Sequence, residues 1–298
     1  MSLSVTRHTA LVVLLMNVFQ QPAEFQARVR ERRRSSRTVG VVPTMGALHE
    51  GHLSLVAAAR SECDVVITTI FVNPTQFGLG EDFEQYPRRL ESDLELCRSA
   101  GTDLVFAPSV NDMYLSDNST MVRISGLAQV LEGASRPTHF DGVTTVVAKL
   151  LNITQPDRAY FGQKDYQQQL IIRRMVRDLN WPVDIINCPI IREPDGLAMS
   201  SRNRFLSARE RAQALVLNRT LVQARWRAAE ERTSPERVQA EMQQQLQLAD
   251  GVEPDYAMVV DAETLRPAGN AHQTAVALVA ARVGRTRLID NQILTFSG

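Results

Sequence analysis

The first two thirds of the chain alternate between short apolar runs and longer segments in which apolar residues recur every three or four positions. The short runs are apolar throughout, which is typical of parallel strands that are covered on both faces. The longer segments have the period of amphipathic helices. This alternation predicts a doubly wound α/β domain. The predicted strands are "TVGVV" from Thr38, "DVVITTIFV" from Asp64, "DLVFAP" from Asp103, "DRAYFG" from Asp157 and "VDIINCPII" from Val183.

The pattern changes at about Ile191. A loop is followed by two long segments of helical period and then by three apolar segments of strand length. Helices and strands are therefore grouped in this part rather than alternating, which is typical of an α+β domain. We predict a first domain over residues 16–190 and a second, smaller α+β domain over residues 191–298.

The first residues of the chain have two interpretations. The run from Ala10 to Val18 is apolar and follows Arg7 and His8, as in a secretory signal peptide. However, no small-residue cleavage site follows the run, and it is shorter than the roughly 20 residues that span a bilayer. We favour a first strand that begins near Met16. We expect residues 1–15 to form an extension that is disordered or that derives from an upstream start codon.

Composition changes this picture by excluding functions. The 298 residues include 33 Lys and Arg and 33 Asp and Glu, so the formal net charge is zero. Proteins that bind nucleic acid or acidic membranes through surface charge are strongly basic, so we expect neither partner. The three cysteines, Cys63, Cys97 and Cys188, are odd in number and widely separated, which fits neither a disulfide framework nor a zinc cluster. We therefore expect a protein of the reducing cytoplasm.

Three loops with distinctive chemistry follow predicted strands. In an open α/β sheet, ligands bind beyond the carboxyl ends of the strands, so we expect these loops to lie close together. The loop "PTMGALHEGH" places His49 and His52 at the start of a helix, where unpaired amides attract anions. The loop "FGQKDYQQQ" contains Lys164 and Asp165, and "GLAMSSRN" has two hydroxyls beside Arg202. A crevice with these groups is suited to a polyphosphate, and Asp165 is suited to a ribose hydroxyl.

Each loop also has an interpretation without a function. His49 and His52 alone do not complete a zinc site, and "HEGHL" has Leu53 where the HExxH metalloprotease pattern requires its second histidine. A histidine near a helix start is equally common as a surface residue or a cap. Lys164 and Asp165 can form a solvated ion pair, and "MSSRN" can be a capping loop. The sequence contains neither GxxxxGK[ST] nor GxGxxG, the common phosphate-binding patterns.

From about Met16 to its end, the sequence resembles the pantoate-β-alanine ligase (pantothenate synthetase) family. The resemblance is specific because it rests on eight blocks that occur in order. It implies a Rossmann-like nucleotidyltransferase domain in which an HxGH-type element, here His49 to His52, and a second basic loop, here "MSSRN", bind ATP. The blocks are "VPTMGALHEGH", "IFVNPTQFG", "EDFEQYPR", "LVFAPS", "LEGASRPTHFDGV", "QPDRAYFGQKDYQQ", "REPDGLAMSSRN" and "ARVGRTRLIDN".

The resemblance implies a reaction in two steps. The carboxylate of pantoate attacks the α-phosphorus of ATP, which releases pyrophosphate and leaves a bound pantoyl adenylate. The amine of β-alanine then attacks the acyl carbon and yields pantothenate and AMP. Negative charge accumulates on the phosphates during the first step, so groups that donate hydrogen bonds to them should accelerate it. The pantoate carboxylate needs no general base because it is ionised at neutral pH.

The resemblance also implies roles for individual residues. The phosphates are implied to be stabilised or held by His49, His52, Lys164, Ser200, Ser201 and Arg202. Further contacts with ATP are implied for Pro43, Met45, Gly51, Gly162, Asp165, Ile191 and Met199. Pantoate is implied to bind Met45, Gln76 and Gln168. Mg²⁺ is implied on the phosphates with Asp93 as its protein ligand, and a homodimer is expected from the family.

Without the resemblance, the residues leave three classes of function open. The chain could be a ligase, a nucleotidyltransferase that stops after transfer of the nucleotidyl group, or a nucleotide-binding module without catalysis. The additional domain and the paired glutamines favour the ligase, because a second substrate must be enclosed. The two histidines and Arg202 disfavour the module. We also expect the second domain to close over ATP about "NCPIIREPDG", which contains prolines and a glycine.

Overall fold

The fold is described from a computed structural model of the chain. The structure describes residues 16–34, 36–78, 80–81, 83–269 and 274–297. The extension predicted over residues 1–15 lies outside the described residues.

Parallel strands form the larger sheet, as the continuous apolar runs predicted. They are β1 (Asn17–Phe19), β2 (Val39–Thr44), β3 (Val65–Ile70), β4 (Leu104–Phe106), β5 (Arg158–Gly162) and β6 (Asp184–Cys188). Their order across the sheet is β1-β4-β3-β2-β5-β6, and every neighbouring pair is parallel. The strand order reverses between β2 and β5. A crevice is therefore expected at the carboxyl ends of these two strands.

Helices connect these strands and cover both faces of the sheet. They are α1 (Pro22–Arg33), α2 (Glu50–Glu62), α3 (Leu90–Ser99), α4 (Val110–Met113), α5 (Glu132–Ser135), α6 (His139–Thr154) and α7 (Tyr166–Asp178). Val41 of β2 packs in a cluster with residues of α1, α6 and α7, whereas its neighbour Val42 packs with residues of α2. Successive residues of β2 thus enter opposite cores, which explains why apolar residues do not alternate with polar ones along it.

A second, antiparallel sheet follows two helices, which confirms the predicted α+β arrangement. The helices are α8 (Ala208–Ala228) and α9 (Pro235–Gln247), and the strands are β7 (Val252–Asp261), β8 (Thr274–Val283) and β9 (Thr286–Thr295) in the order β7-β8-β9. One apolar cluster joins the sheet to α8 and α9. Along the described part of the chain, we find no helix with the length and apolar character needed to cross a membrane.

The two sheets are joined by shared apolar packing and by a buried ionic cluster. Val260 and Leu278 of the small sheet belong to the same apolar cluster as residues of α6 and α7. Glu132 of α5 accepts hydrogen bonds from two nitrogens of Arg287 at 2.6 and 2.7 Å and from the hydroxyl of Tyr256 at 2.6 Å. These three side chains line a wide cavity of about 880 Å³ between the sheets.

Candidate active site

A cavity of about 250 Å³ lies at the switch in strand order, beside the ends of β2 and β5. The predicted site residues come from five separate segments, and all of them except Asp93 line this cavity. They are Pro43, Met45, His49, Gly51, His52, Gln76, Gly162, Lys164, Asp165, Gln168, Ile191, Met199, Ser200, Ser201 and Arg202.

His49 and His52 are held by the first turn of α2. The Nδ1 atom of His49 accepts the backbone N–H of Gly51 at 3.1 Å, and the Nδ1 atom of His52 accepts the backbone N–H of His49 at 3.4 Å. The centroids of the two rings are 4.1 Å apart. Because an accepting nitrogen carries no proton, each neutral ring has its proton on Nε2. Each imidazole therefore caps the helix through one nitrogen and keeps the other as a hydrogen-bond donor.

Both imidazoles are neutral at physiological pH. Burial lowers the pKa of His49 to about 4, with the ammonium of Lys164 as a second, smaller cause. Burial also lowers the pKa of His52 to about 3, with His49 and Lys164 as additional causes. The rings can thus donate to phosphate oxygens without first taking up a proton.

Asp93 holds the loop that precedes these histidines. Its two carboxylate oxygens accept the backbone N–H of Ala47 at 2.9 Å and of Leu48 at 2.8 Å, and the residue is 2% exposed. Gly46 has a φ of +82°, and a Cβ atom there would lie 2.9 Å from the same carboxylate, so the turn requires glycine.

The prediction that Asp93 binds magnesium is not supported by this geometry. Both carboxylate oxygens are used inside the protein, and Asp93 does not line the cavity. No group of three or more His, Cys, Asp or Glu side chains suited to a metal ion occurs among the residues that the structure describes. Asp93 therefore shapes the histidine loop, and its role as a magnesium ligand stays a prediction.

The small sheet holds the loop after β5. The side-chain amide of Asn291 donates to the carbonyl oxygens of Gln163 at 2.9 Å and of Lys164 at 3.0 Å. The amide of Gln163 donates back to Asn291 at 3.1 Å. A Cβ atom at Gly162 would meet nothing within 4 Å, so a ligand can approach the backbone there. Sequence reasoning missed Asn291, whose only signal was its place at the end of the block "ARVGRTRLIDN".

The third loop contacts the histidine loop directly. The sulfur of Met199 accepts the backbone N–H of Gly51 at 3.2 Å. The hydroxyl of Ser200 accepts the backbone N–H of Arg202 at 3.2 Å and caps the short 3₁₀ helix Ser201–Phe205. The capping interpretation of "MSSRN" is therefore confirmed, and it is compatible with a role in binding because the same residues line the cavity.

The opposite side of the cavity combines amides with an apolar wall. The amide nitrogen of Gln76 donates to the sulfur of Met45 at 3.0 Å, and Gln76 is 8% exposed. Gln168 lines both this cavity and the wider one between the sheets. Sequence reasoning assigned no role to the apolar wall, although α6 had the period of a buried helix. The wall contains Phe71, Phe77, Tyr86, Val143, Val146, Val147 and Leu150.

Arg136 and His139 also line both cavities, and sequence reasoning assigned neither of them to the site. Both lie in the block "LEGASRPTHFDGV", which was the available signal. Burial, followed by the charge of Arg136, lowers the pKa of His139 to about 4, so this ring is neutral as well.

Comparison with known proteins shows which proteins this chain is similar to. The sequence profile of the family described as Pantoate-beta-alanine ligase matches residues 17–293. The pantothenate synthetase of Moorella thermoacetica is 52% identical over 280 residues, which cover 94% of this chain and 99% of that protein. The pantothenate synthetase of Rhodopirellula baltica is 51% identical over 282 residues, with coverage of 94% and 99%.

Solved structures show the same similarity. The crystal structure of pantothenate synthetase from Thermus thermophilus has a TM-score of 0.88 and 46% identity, covering 93% of this chain and 99% of that one. The pantoate-beta-alanine ligase from Francisella tularensis, complexed with beta-gamma ATP and beta-alanine, has a TM-score of 0.76 and 35% identity, with coverage of 94% and 98%. The resemblance predicted from the eight blocks is confirmed, and the chain belongs to the pantoate-β-alanine ligase family.

Proposed function

We propose that the described cavity carries out the ATP-dependent ligation of pantoate and β-alanine through a pantoyl adenylate, with release of AMP and pyrophosphate. The observation that carries the proposal is the convergence of two neutral imidazoles, the Lys164 ammonium and the Arg202 guanidinium on a cavity that also contains two amides. The family of the chain and the nucleotide and β-alanine named for the Francisella ligase support it.

In the proposed first step, donors surround the phosphates of ATP. His49 and His52 donate through Nε2 to oxygens on which charge accumulates as pyrophosphate departs. Lys164 and Arg202 supply positive charge, and the hydroxyls of Ser200 and Ser201 donate further hydrogen bonds. Donors that are already oriented need no reorganisation during the reaction, which is why such groups lower the barrier. Because the imidazoles are neutral, their contribution comes from hydrogen bonding rather than from net charge.

The remaining contacts with ATP are assigned to other residues that line the cavity. We place the ribose against Gly162, where the backbone is open, and beside Asp165. Pro43 and Ile191 face the adenine. The other ATP contacts of the proposal are Met45, Gly51 and Met199.

We place pantoate between the amides and the apolar wall. Gln76 and Gln168 pair with its hydroxyl groups, because an amide offers both a donor and an acceptor. Met45 and the valines of α6 accommodate its two methyl groups. In the proposal, magnesium is bound to the ATP phosphates, and we assign it no protein ligand.

The proposal includes two domains that meet at Ile191. The smaller domain, over residues 191–298, closes over ATP as a lid. Arg192 donates two hydrogen bonds to Asp290 of β9 at 2.6 and 3.0 Å, so a hinge would lie before Arg192. Small-angle scattering that does not change with saturating ATP and pantoate would count against closure.

Assembly of two copies and a cytoplasmic location also belong to the proposal.

Exchange of labelled pyrophosphate into ATP, with pantoate and Mg²⁺ but without β-alanine, tests the proposed function. We expect exchange that requires pantoate, because the adenylate step is reversible while the adenylate stays bound. In a nucleotidyltransferase without ligase activity, the exchange would not depend on pantoate. A binding module would bind ATP but would show no exchange. Absence of pantoate-dependent exchange in a folded sample that binds ATP would reject the proposal.

A further inference from the structure

Arg136 and His139 converge on one backbone atom of Gln76. The Nδ1 atom of His139 lies 2.8 Å from the carbonyl oxygen of Gln76, and a terminal nitrogen of Arg136 donates to the same oxygen at 3.2 Å. A carbonyl oxygen only accepts hydrogen bonds, so His139 carries a proton on Nδ1. This arrangement is the reverse of that in His49 and His52, in which Nδ1 accepts.

Arg136 is itself held in place by Glu81. Its Nε atom donates to one carboxylate oxygen of Glu81 at 2.7 Å, and a terminal nitrogen donates to the other at 2.5 Å. The side chains are only 19% and 26% exposed. A paired, planar contact of this kind fixes the orientation of a guanidinium group. The third contact of Arg136, with the carbonyl of Gln76, therefore has a defined direction.

The side chain of Gln76 is held from the opposite direction. The amide of Asn73 donates to the side-chain oxygen of Gln76 at 3.2 Å and to the carbonyl oxygen of Gly142 at 3.2 Å. Gln76 ends a 3₁₀ helix of three residues, Pro74–Gln76. A helix this short has few hydrogen bonds of its own, so its geometry depends on outside partners.

We propose that Arg136 and His139 are positioning residues that hold the backbone of Gln76 so that its amide can select the hydroxyl groups of pantoate. The inference rests on the proposed function, because it takes Gln76 as a pantoate ligand. A site that hydrogen-bonds a hydroxyl rejects analogues that lack it only if its own polar group cannot turn to another partner. Loosening the Gln76 backbone therefore weakens discrimination as well as binding.

Two substitutions of His139 separate this role from others. The amide nitrogen of asparagine can occupy nearly the position of Nδ1, so His139→Asn can still donate to Gln76, whereas His139→Ala cannot. In pyrophosphate exchange, we expect His139→Ala to raise the KM for pantoate about tenfold, in line with the loss of one buried hydrogen bond. The KM for ATP should change less than about twofold, and His139→Asn should stay within about threefold of the wild type.

A second acid tests selection directly. The compound 2-hydroxy-3,3-dimethylbutanoate lacks the terminal hydroxyl of pantoate. We expect His139→Ala to lose about tenfold of the preference for pantoate over this acid in kcat/KM. Arg136→Met should show the same loss. Arg123→Met is the matched control because the side chain of Arg123, which pairs with Asp141 of α6, is 72% exposed, and it should keep the preference of the wild type.

The outcomes have separate meanings. An unchanged pantoate KM and preference in His139→Ala would overturn the inference, and so would equal lowering of activity toward both acids. Damage from His139→Asn equal to that from His139→Ala would also overturn it, because the hydrogen bond to Gln76 would not explain the effect. If His139→Ala does not fold, the same measurements on His139→Asn and Arg136→Met test the inference. Absence of pantoate-dependent exchange in the wild type would reject the proposed function and this inference with it.

Discussion

The variant His49→Asn is expected to lower the turnover of pyrophosphate exchange by a factor of about 10² to 10³ without unfolding the protein. The side-chain oxygen of asparagine can still accept the N–H of Gly51, so the cap on α2 is retained. The variant lacks a donor at the position of Nε2, where we place the phosphates. Lys164→Met is expected to have an effect of the same order, because it removes a cation without shortening the side chain.

Exchange at saturating ATP and pantoate measures the turnover, and thermal melting followed by circular dichroism tests the fold. Arg209→Met provides a control, because Arg209 is an exposed cation at the start of α8 and it does not line the cavity. We expect this variant to keep the turnover of the wild type. Turnover within threefold of the wild type in both His49→Asn and Lys164→Met would contradict the proposed phosphate site.

The variant Arg287→Met is expected to lower the free energy of unfolding at pH 7 by about 3 kcal/mol or more. The side chains of Arg287 and Glu132 are only 21% and 12% exposed, so the substitution leaves a carboxylate without its cation in a largely buried place. The hydroxyl of Tyr256 would remain as a partner of Glu132 but supplies no charge. Urea denaturation of the wild type and the variant measures the difference.

The effect of Arg287→Met should depend on pH. Burial alone raises the pKa of Glu132, but hydrogen bonds and charge from Arg287 outweigh burial and hold the pKa below the ordinary value of 4.5. A carboxyl group with a lowered pKa in the folded state contributes stability above its unfolded pKa, and this stability is lost as the pH falls through the folded pKa. The difference between wild type and variant should therefore shrink as the pH falls toward 4.5 and below it, because the carboxyl group of Glu132 becomes protonated first in the variant and then in the wild type.

Two controls identify the buried charge as the cause. Glu132→Gln combined with Arg287→Met removes the buried carboxylate together with its cation, so it should be less destabilised than Arg287→Met alone. Asp255, which also pairs with Arg287, loses its cation in both variants and does not affect this comparison. Arg209→Met removes one partner of a pair with Asp250 that is 81% and 83% exposed, and it should leave the urea midpoint unchanged. Equal midpoints for Arg287→Met and the wild type at pH 7 would refute the role of the cluster.

The fold was predictable because its main signal is local. Strands such as Val39–Thr44 and Val65–Ile70 are covered on both faces, so apolar residues do not alternate with charged ones along them, and the helices between them have a clear period. These patterns also predicted that the loops with His49, Lys164 and Arg202 would meet, because parallel strands place their carboxyl ends along one edge. The boundaries of the elements differed from the prediction by only a few residues.

The sequence alone could not decide the role of Asp93, and the reason is physical. A carboxylate in a sequence can bind a metal or cap backbone N–H groups, and the choice depends on which groups lie beside it. Asp93 is surrounded by the amides of Ala47 and Leu48, which come from a loop more than forty positions away. The sequence around Asp93 does not show that this loop lies beside it in the folded protein.

By itself, the sequence determined the α/β and α+β arrangement, because apolar periodicity depends on residues that are near one another in the chain. Its resemblance to a known family supplied the predicted residues of the cavity lining. Only the tertiary structure decided that His139 carries its proton on Nδ1, since this depends on a backbone carbonyl within hydrogen-bond reach. It likewise decided that His139 holds Gln76, 63 positions away, and that Asn291 holds Lys164, 127 positions away. Each of these contacts joins a side chain to a backbone carbonyl oxygen, a group that every residue has, so the sequence carries no local sign of which residue accepts the hydrogen bond.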